Sequence, residues 1–301
     1  MLEEALAREP DNVEALGHRA AALAELGAQR AALACVDRAL AVQPKLAAAW
    51  DLHANLLKEL GRFEDARGSF ENAIAQGADT ELNRYCLAAV SGQAIPPIAP
   101  RQYVQSLFDS YAEGFEEHLV EILNYRAPEV LVAELARLGR RFSRALDLGC
   151  GTGLCGVAMR PLVDKLDGVD LSANMMEGAA ARKCYDELAQ ADVAQYLGAS
   201  ARRYDLVLAA DVFIYVGALE AVFEGVARTM DAGGVFCFSV ETAPQGHDYL
   251  LRPSLRYAHS AGYIRRLAEQ YGFEIGCTSE HPIRDDQRTP IPGLFAWLTK
   301  R

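Results

Sequence analysis

The run Ala145-Leu146-Asp147-Leu148-Gly149-Cys150-Gly151-Thr152-Gly153 constrains this chain more than any other stretch. An apolar, strand-like segment carrying one carboxylate ends in three glycines at alternate positions, and a helical pattern follows from Leu154. Glycine is needed where the backbone turns sharply or approaches a ligand without a Cβ in the way, and such loops join the first strand of a doubly wound sheet to its first helix. The rest of this region agrees. We expect strands near 144–148, 166–170, 187–191, 204–210, 234–240, 273–279 and 294–299, with helices near 154–161, 173–184, 217–230 and 261–271. That alternation predicts an α/β fold: a doubly wound, mostly parallel seven-stranded sheet, covered on both faces, with ligands at the carboxyl ends of its strands. The last two strands have no helix between them, which predicts an antiparallel hairpin at the sheet edge.

Two cofactors compete for the loop. Gly151-Thr152-Gly153-Leu154-Cys155-Gly156 satisfies the dinucleotide pattern, which would imply an NAD-dependent oxidoreductase. A pyrophosphate held there would, however, lie close to the like-charged Asp147. S-adenosylmethionine removes that conflict, because its sulfonium and ammonium groups are cationic and it carries no phosphate. It also uses all three of Gly149, Gly151 and Gly153 instead of leaving Gly149 unexplained. S-adenosylmethionine is therefore the expected cofactor and NAD the remote alternative.

Composition narrows the partners. The chain has 301 residues, 51% hydrophobic and 24% charged, enough for two ordinary globular domains. It has no apolar run of transmembrane length, and Met1-Leu2-Glu3-Glu4 lacks the basic start and apolar core of a secretory signal, so we expect a cytoplasmic protein without a membrane partner. A net charge of −11 argues against a nucleic-acid partner, since gripping a phosphate backbone needs surplus Lys and Arg. Seven cysteines at irregular spacings read as reduced thiols, and no His pair has metal-ligand spacing, so no metal is expected.

The first 90 residues repeat with a period of 34. Pro10 aligns with Pro44, Leu23 with Leu57, Gly27 with Gly61, Ala32 with Ala66 and Ala39 with Ala73. With small Ala at the helix crossings and Trp50, Leu56 and Phe70 as larger packing residues, this stretch resembles the tetratricopeptide repeats. The resemblance implies an α-helical array that binds a protein partner, buttresses the following domain or pairs with a second copy. Residues 91–100, with Pro96, Pro97 and Pro100, form a Pro-rich linker. Residues 101–301 form the second domain, opening with a helical segment at 101–140.

In that domain Leu146–Gly153, then Gly168-Val169-Asp170-Leu171-Ser172-Ala173-Asn174-Met175-Met176, then Gln190-Ala191-Asp192-Val193, then Tyr204–Asp211 resemble, in order, the motifs of class I S-adenosylmethionine-dependent methyltransferases, which have a Rossmann-like fold. The resemblance implies that Gly149, Gly151 and Gly153 approach the methionine portion and that Asp147 lies near its ammonium group. Asp170 would accept from both ribose hydroxyls, Leu171 and Met175 would pack beside the nucleoside, and Asp192 with the backbone of Val193 would read the adenine edge. Ala210 and Asp211 would line the cleft where donor meets acceptor. In this family the segment before the first strand acts as a lid. Tyr103, Tyr111, Phe115 and His118 would then face the cofactor, the alternative being an aromatic stripe packed into the core.

Methyl transfer is an in-line displacement at carbon, so alignment and exclusion of water matter most. A base is needed only if the acceptor must lose a proton. His259 is the preferred candidate and His118 the second, with Tyr257 and Asp211 as positioning groups and Arg256 or Arg284 as anchors for an anionic acceptor. These features point to a methyltransferase acting at an O, N or C atom of an unidentified small acceptor. Two alternatives are a protein methyltransferase that recruits its target through the repeats and a non-catalytic scaffold that retains cofactor binding.

Overall fold

The computed structural model describes residues 6–111, 114, 119, 122–286 and 288–301. The chain packs as two units. A helical unit reaches Pro96 and includes Leu251–Arg256, and an α/β unit comprises Pro97–Leu250 and Tyr257–Arg301.

The helical unit contains α1 (Val13–Glu25), α2 (Gln29–Val42), α3 (Ala47–Glu59), α4 (Phe63–Ala75) and α5 (Glu81–Ser91). The starts of α1 and α3, and of α2 and α4, are 34 residues apart, the period seen in the sequence. Buried Ala20, Ala32 and Ala39 recur one period later as buried Ala54, Ala66 and Ala73, and these small side chains let neighbouring helices approach closely. Each pair turns in the same way. Ala28 N–H donates to the Leu23 carbonyl at 2.8 Å and Arg62 N–H to the Leu57 carbonyl at 2.9 Å, around Gly27 and Gly61 at φ +75° and +73°. This is the left-handed cap that closes a helix end and lets the chain reverse. Leu251–Arg256 is tied into this unit by the wholly buried Tyr85, whose hydroxyl donates to the Leu255 carbonyl at 2.9 Å. Arg256, expected as an anchor for an anionic acceptor, therefore belongs to the helical unit.

The α/β unit opens with Pro97–Ala99, the last part of the expected Pro-rich linker, which is held by hydrogen bonds. Gly217 and Ala218 N–H donate to the Pro97 carbonyl, and Ala99 N–H donates to the Tyr215 carbonyl. After α6 (Arg101–Tyr111) and α7 (Ala127–Arg137) come β1 (Phe142–Leu148), α8 (Leu154–Met159), β2 (Val163–Asp170), α9 (Ala173–Ala181), β3 (Glu187–Gln190), α10 (Val193–Ala199) and β4 (Tyr204–Ala209). Next are α11 (Glu220–Thr229), β5 (Met230–Thr242), β6 (Tyr249–Leu251), β7 (Tyr257–His259), α12 (Ala261–Gln270), β8 (Phe273–Asp286) and β9 (Thr289–Lys300). The sheet order is β3-β2-β1-β4-β5-β7-β6, with β9 antiparallel on β5 and β8 antiparallel on β9.

The sheet thus has nine strands where seven were expected. The terminal hairpin is as expected. The two additional strands, β6 and β7, are three residues each, too short for a periodicity to register. On one edge β5 pairs with β9 from Val235 to Glu241, so β7, on Glu241 and Thr242, continues the other edge beyond the end of β4. The short α10 was also not anticipated.

Alternation within the strands divides the core. Leu146, Leu148, Val207, Phe236 and Phe238 face one layer with Leu197, Phe223 and Ile264. Ala145, Leu206, Leu208, Val235 and Cys237 face the other with Leu131, Leu135 and Met159. All seven cysteines are free thiols, and among the described residues no helix is long and apolar enough to cross a membrane.

The helical unit offers a clean stability test. A Cβ on Gly61 would meet nothing within 4 Å, so Gly61→Ala is penalised only by its left-handed backbone. The expected loss is about 1 kcal/mol in urea unfolding followed by helical circular dichroism.

Candidate active site

The loop after β1 is built from its glycines outward. Gly149, Gly151 and Gly153 have φ of +65°, +53° and +91°. At Gly149 the missing Cβ also makes room, since it would lie 2.5 Å from a methyl of Val212 in the segment after β4. At Gly151 a Cβ would point into open space, leaving the backbone bare where a ligand can approach.

Asp170, at the end of β2, fixes the loop. Its Oδ2 accepts from Gly151 N–H at 2.8 Å and its Oδ1 from Ser172 N–H at 2.9 Å. Leu171 N–H is a third backbone donor to this carboxylate, which has about four lone-pair sites and so keeps capacity to accept from a ligand hydroxyl. Burial pushes this carboxyl above its ordinary value, backbone N–H donors oppose the rise, and nearby Asp109 adds to it.

Asp147 is only 1% exposed and points away from solvent. Its Oδ2 accepts from the Tyr185 hydroxyl at 2.7 Å. The Tyr185 ring lies where a Cβ on Gly156 or Gly168 would be, so those glycines serve the tyrosine rather than a ligand. Burial pushes the Asp147 carboxyl up to about 7, with Tyr185 lowering it and Asp170 raising it. No motif revealed Tyr185, because its partners are scattered along the sequence and meet only once β1 and β2 pair.

Past β4, Asp211 has a left-handed φ of +58° despite its side chain. The conformation is stabilised from both sides: Asp211 N–H donates to Ser239 Oγ at 2.9 Å, and Arg284 Nη1 donates to both carboxylate oxygens at 2.6 Å. The other guanidinium nitrogen, Nη2, binds Glu241. Arg284 and Glu241 are each 2% exposed. Burial disfavours the Arg284 charge, but the two carboxylates outweigh it and hold its pKa above the ordinary value. Arg284 is therefore not the anchor for an anionic acceptor that the sequence suggested, since its donors are already committed to two acids.

The histidine and tyrosine expected to act on the acceptor are also placed differently. His259 is 0% exposed, and its Nε2 lies 2.9 and 3.0 Å from the Val216 and Gly217 carbonyls. Nε2 must then carry the proton and donate it to the backbone. Burial pushes the ring down to about 4, and the ring stacks on Tyr263. A base must reach its substrate, and this imidazole is sealed inside. Tyr257 is likewise 0% exposed, with its ring against the backbone of Gly217. Both residues hold the segment after β4 in place. His118 lies outside the described residues, as does Phe115.

Leu171 and Met175 follow the carboxyl end of β2, Asp192 and Val193 that of β3, and Ala210 that of β4. Leu171 is half-buried, and its carbonyl accepts from Gln190 Nε2. Met175 is buried in the first turn of α9. Asp192 caps α10, with one oxygen accepting from Gln195 N–H at 3.0 Å, and Val193 begins that helix. The Ala210 carbonyl accepts from the Tyr125 hydroxyl at 3.3 Å. Tyr103 and Tyr111 are half-buried on α6, a helix that also carries Asp109.

A parallel sheet of order 3-2-1-4-5 with a glycine loop and a carboxylate at the end of its second strand defines a Rossmann-like nucleoside-binding fold. Residues 122–278 match the family described as a methyltransferase domain, and the chain belongs to this methyltransferase family. It is 31% identical over 149 residues to malonyl-[acyl-carrier protein] O-methyltransferase of Enterobacter lignolyticus (strain SCF1). That match takes in 50% of this chain and 57% of the relative, so the chain spans little more than half of the relative's length. Among solved structures it is similar in fold to magnesium protoporphyrin IX methyltransferase from Synechocystis PCC 6803. With SAH bound, that structure aligns at TM-score 0.53 and 17% identity over 67% of this chain and 99% of that one. With SAM bound the values are 0.52, 18%, 69% and 99%.

The raised Asp147 carboxyl yields a test with a definite sign. Its folded-state value of about 7 lies above the ordinary 3.8, so between these pH values the folded chain binds the extra proton. Stability is therefore lost as pH rises through that window, by an amount on the order of 4 kcal/mol. Asp147→Asn cannot ionise. Urea unfolding of both proteins from pH 4 to pH 7 should show wild type losing stability relative to the variant as pH rises; parallel profiles would contradict the assignment.

Proposed function

We propose that this chain is an S-adenosylmethionine-dependent methyltransferase acting on an O, N or C atom of a small acceptor. The observation that carries the reading is Asp170: a half-buried carboxylate at the end of β2 that holds the glycine loop through Gly151 and keeps acceptor capacity for a ribose hydroxyl. The open space beside Gly151 fits a ligand against bare backbone. Bound S-adenosylmethionine supplies a methyl group on a cationic sulfur. The chain's own residues do the rest. Asp170 orients the nucleoside, the backbone of the glycine loop accommodates the methionine portion, and Asp192 with Val193 borders the adenine. Asp211, locked by Arg284, forms the wall beyond Ala210 against which the acceptor aligns.

Membership of the family and the 31% match to a malonyl-[acyl-carrier protein] O-methyltransferase support methyl transfer as the reaction. The helical unit, with its 34-residue period and recurring glycine caps, reads as tetratricopeptide repeats that serve a protein partner or a second copy of the chain. We place the protein in the cytoplasm.

Two measurements test this reading. Calorimetric titration with S-adenosylhomocysteine should show binding that Asp170→Ala weakens by tenfold or more, whereas binding of NAD alone would overturn the cofactor assignment. Cell extract supplied with methyl-labelled donor and the enzyme should yield label in small molecules. Label on a protein band would instead favour recruitment of a protein substrate by the repeats, and donor binding with no transfer to any fraction would favour a non-catalytic scaffold.

A further inference from the structure

We infer that Asp109 is a cofactor-positioning residue, through which α6 is latched across the nucleoside end of the site; the inference rests on the S-adenosylmethionine reading above. α6 has no fully buried residue, and its Phe108 ring meets that of Tyr215 edge-on with centroids 5.5 Å apart. Polar contacts hold it at two further places. Near its carboxyl end, Asp109 Oδ1 accepts from Ser172 Oγ at 2.6 Å, and the Asp109 carbonyl accepts from Asn174 Nδ2 at 2.9 Å. At its amino end, Arg101 Nη1 donates to Gln195 Oε1 at 3.4 Å.

These partners are not scattered over the surface. Ser172 and Asn174 follow directly on Asp170, the ribose position, and Gln195 follows Asp192 and Val193, the adenine position. From Arg101 to Asp109 the helix runs about 12 Å, enough to bridge the two. Ser172 links the latch to the site. Its N–H donates to Asp170, its Oγ accepts from Met175 N–H as the cap of α9, and its single hydroxyl proton goes to Asp109. An unbroken chain of hydrogen bonds thus runs from Gly151 N–H through Asp170 and Ser172 to Asp109.

The like charges of Asp109 and Asp170 lie close enough for Asp109 to raise the Asp170 carboxyl. Hydroxyls donating to Asp170 relieve that repulsion, so ligand binding and the contact of α6 with Ser172 favour the same state. Asp109 thereby acts on the donor both through Ser172 and by holding the half-buried face of α6 against it.

The test uses the full chain and S-adenosylhomocysteine as probe, so the acceptor need not be known. Asp109→Ala should weaken binding by about tenfold, chiefly through faster dissociation. Asp109→Asn keeps an oxygen for Ser172 and should bind within about threefold of wild type. Hydrogen exchange over residues 101–111 should slow on ligand binding in wild type and Asp109→Asn but not in Asp109→Ala. Wild-type affinity and protection in Asp109→Ala would overturn the inference alone. A wild-type protein that binds no S-adenosylhomocysteine would overturn the cofactor reading and the inference together.

Discussion

The Asp170 carboxylate ties the glycine loop to the end of the second strand, and the arrangement of the site depends on that tie. The loop has three residues in left-handed backbone within five positions, a shape with few internal hydrogen bonds to define it. Gly153 N–H reaches the Cys150 carbonyl and Cys150 N–H the Val169 carbonyl, which secures both flanks. The middle of the loop has Asp170. By accepting from Gly151 and from Ser172, one side chain sets the loop after β1 against the helix entry after β2, so that two adjacent parallel strands present their carboxyl ends as one surface. Val212 adds a third element by lying against Gly149, which brings the end of β4 up to the same loop.

A second cluster fixes the far side. Arg284 reaches from β8 to Asp211 and Glu241, joining the hairpin to the ends of β4 and β5. Burying three charges is expensive unless their geometry is nearly ideal, so such clusters secure a particular arrangement more than they add stability. Here the arrangement includes a strained Asp211, whose backbone conformation is uncommon for any residue but glycine. The strain is held by Ser239 on the backbone and Arg284 on the side chain, and it turns the chain sharply just where the wall of the site begins.

The legible parts of the molecule were those with local signatures. The 34-residue period, the glycine loop, the strand alternation and the terminal hairpin all depend on neighbours in sequence, and each has its counterpart in the structure. The illegible parts depend on residues brought together from far apart. Arg284 lies 73 positions from Asp211, and Tyr185 lies 38 from Asp147, so neither pair has a spacing to recognise. His259 shows the converse error. A histidine before a helix at the edge of the sheet looked available, yet two carbonyls exposed by the turn after β4 needed a donor, and the imidazole supplies it. Buried backbone oxygens rarely go unpaired, which is why a polar side chain near such a turn is so often structural. Asp192 shows the ambiguity in a milder form: it caps α10 with one oxygen, and a carboxylate has two.

The four carboxylates around the loop differ in what compensates their charge. Asp170 has backbone N–H groups, Asp211 has a guanidinium, and Asp109 has the Ser172 hydroxyl. Asp147 has the Tyr185 hydroxyl and, near neutral pH, a proton of its own. Backbone donors and a buried guanidinium cannot leave, but a proton can. Of the four, Asp147 is the one most fully withdrawn from solvent, and a proton rather than a fixed cation or a row of backbone donors offsets the cost of burying it. It belongs to the interior beneath the glycine loop, where the Tyr185 ring that carries its hydrogen-bond donor fills the space left by Gly156 and Gly168.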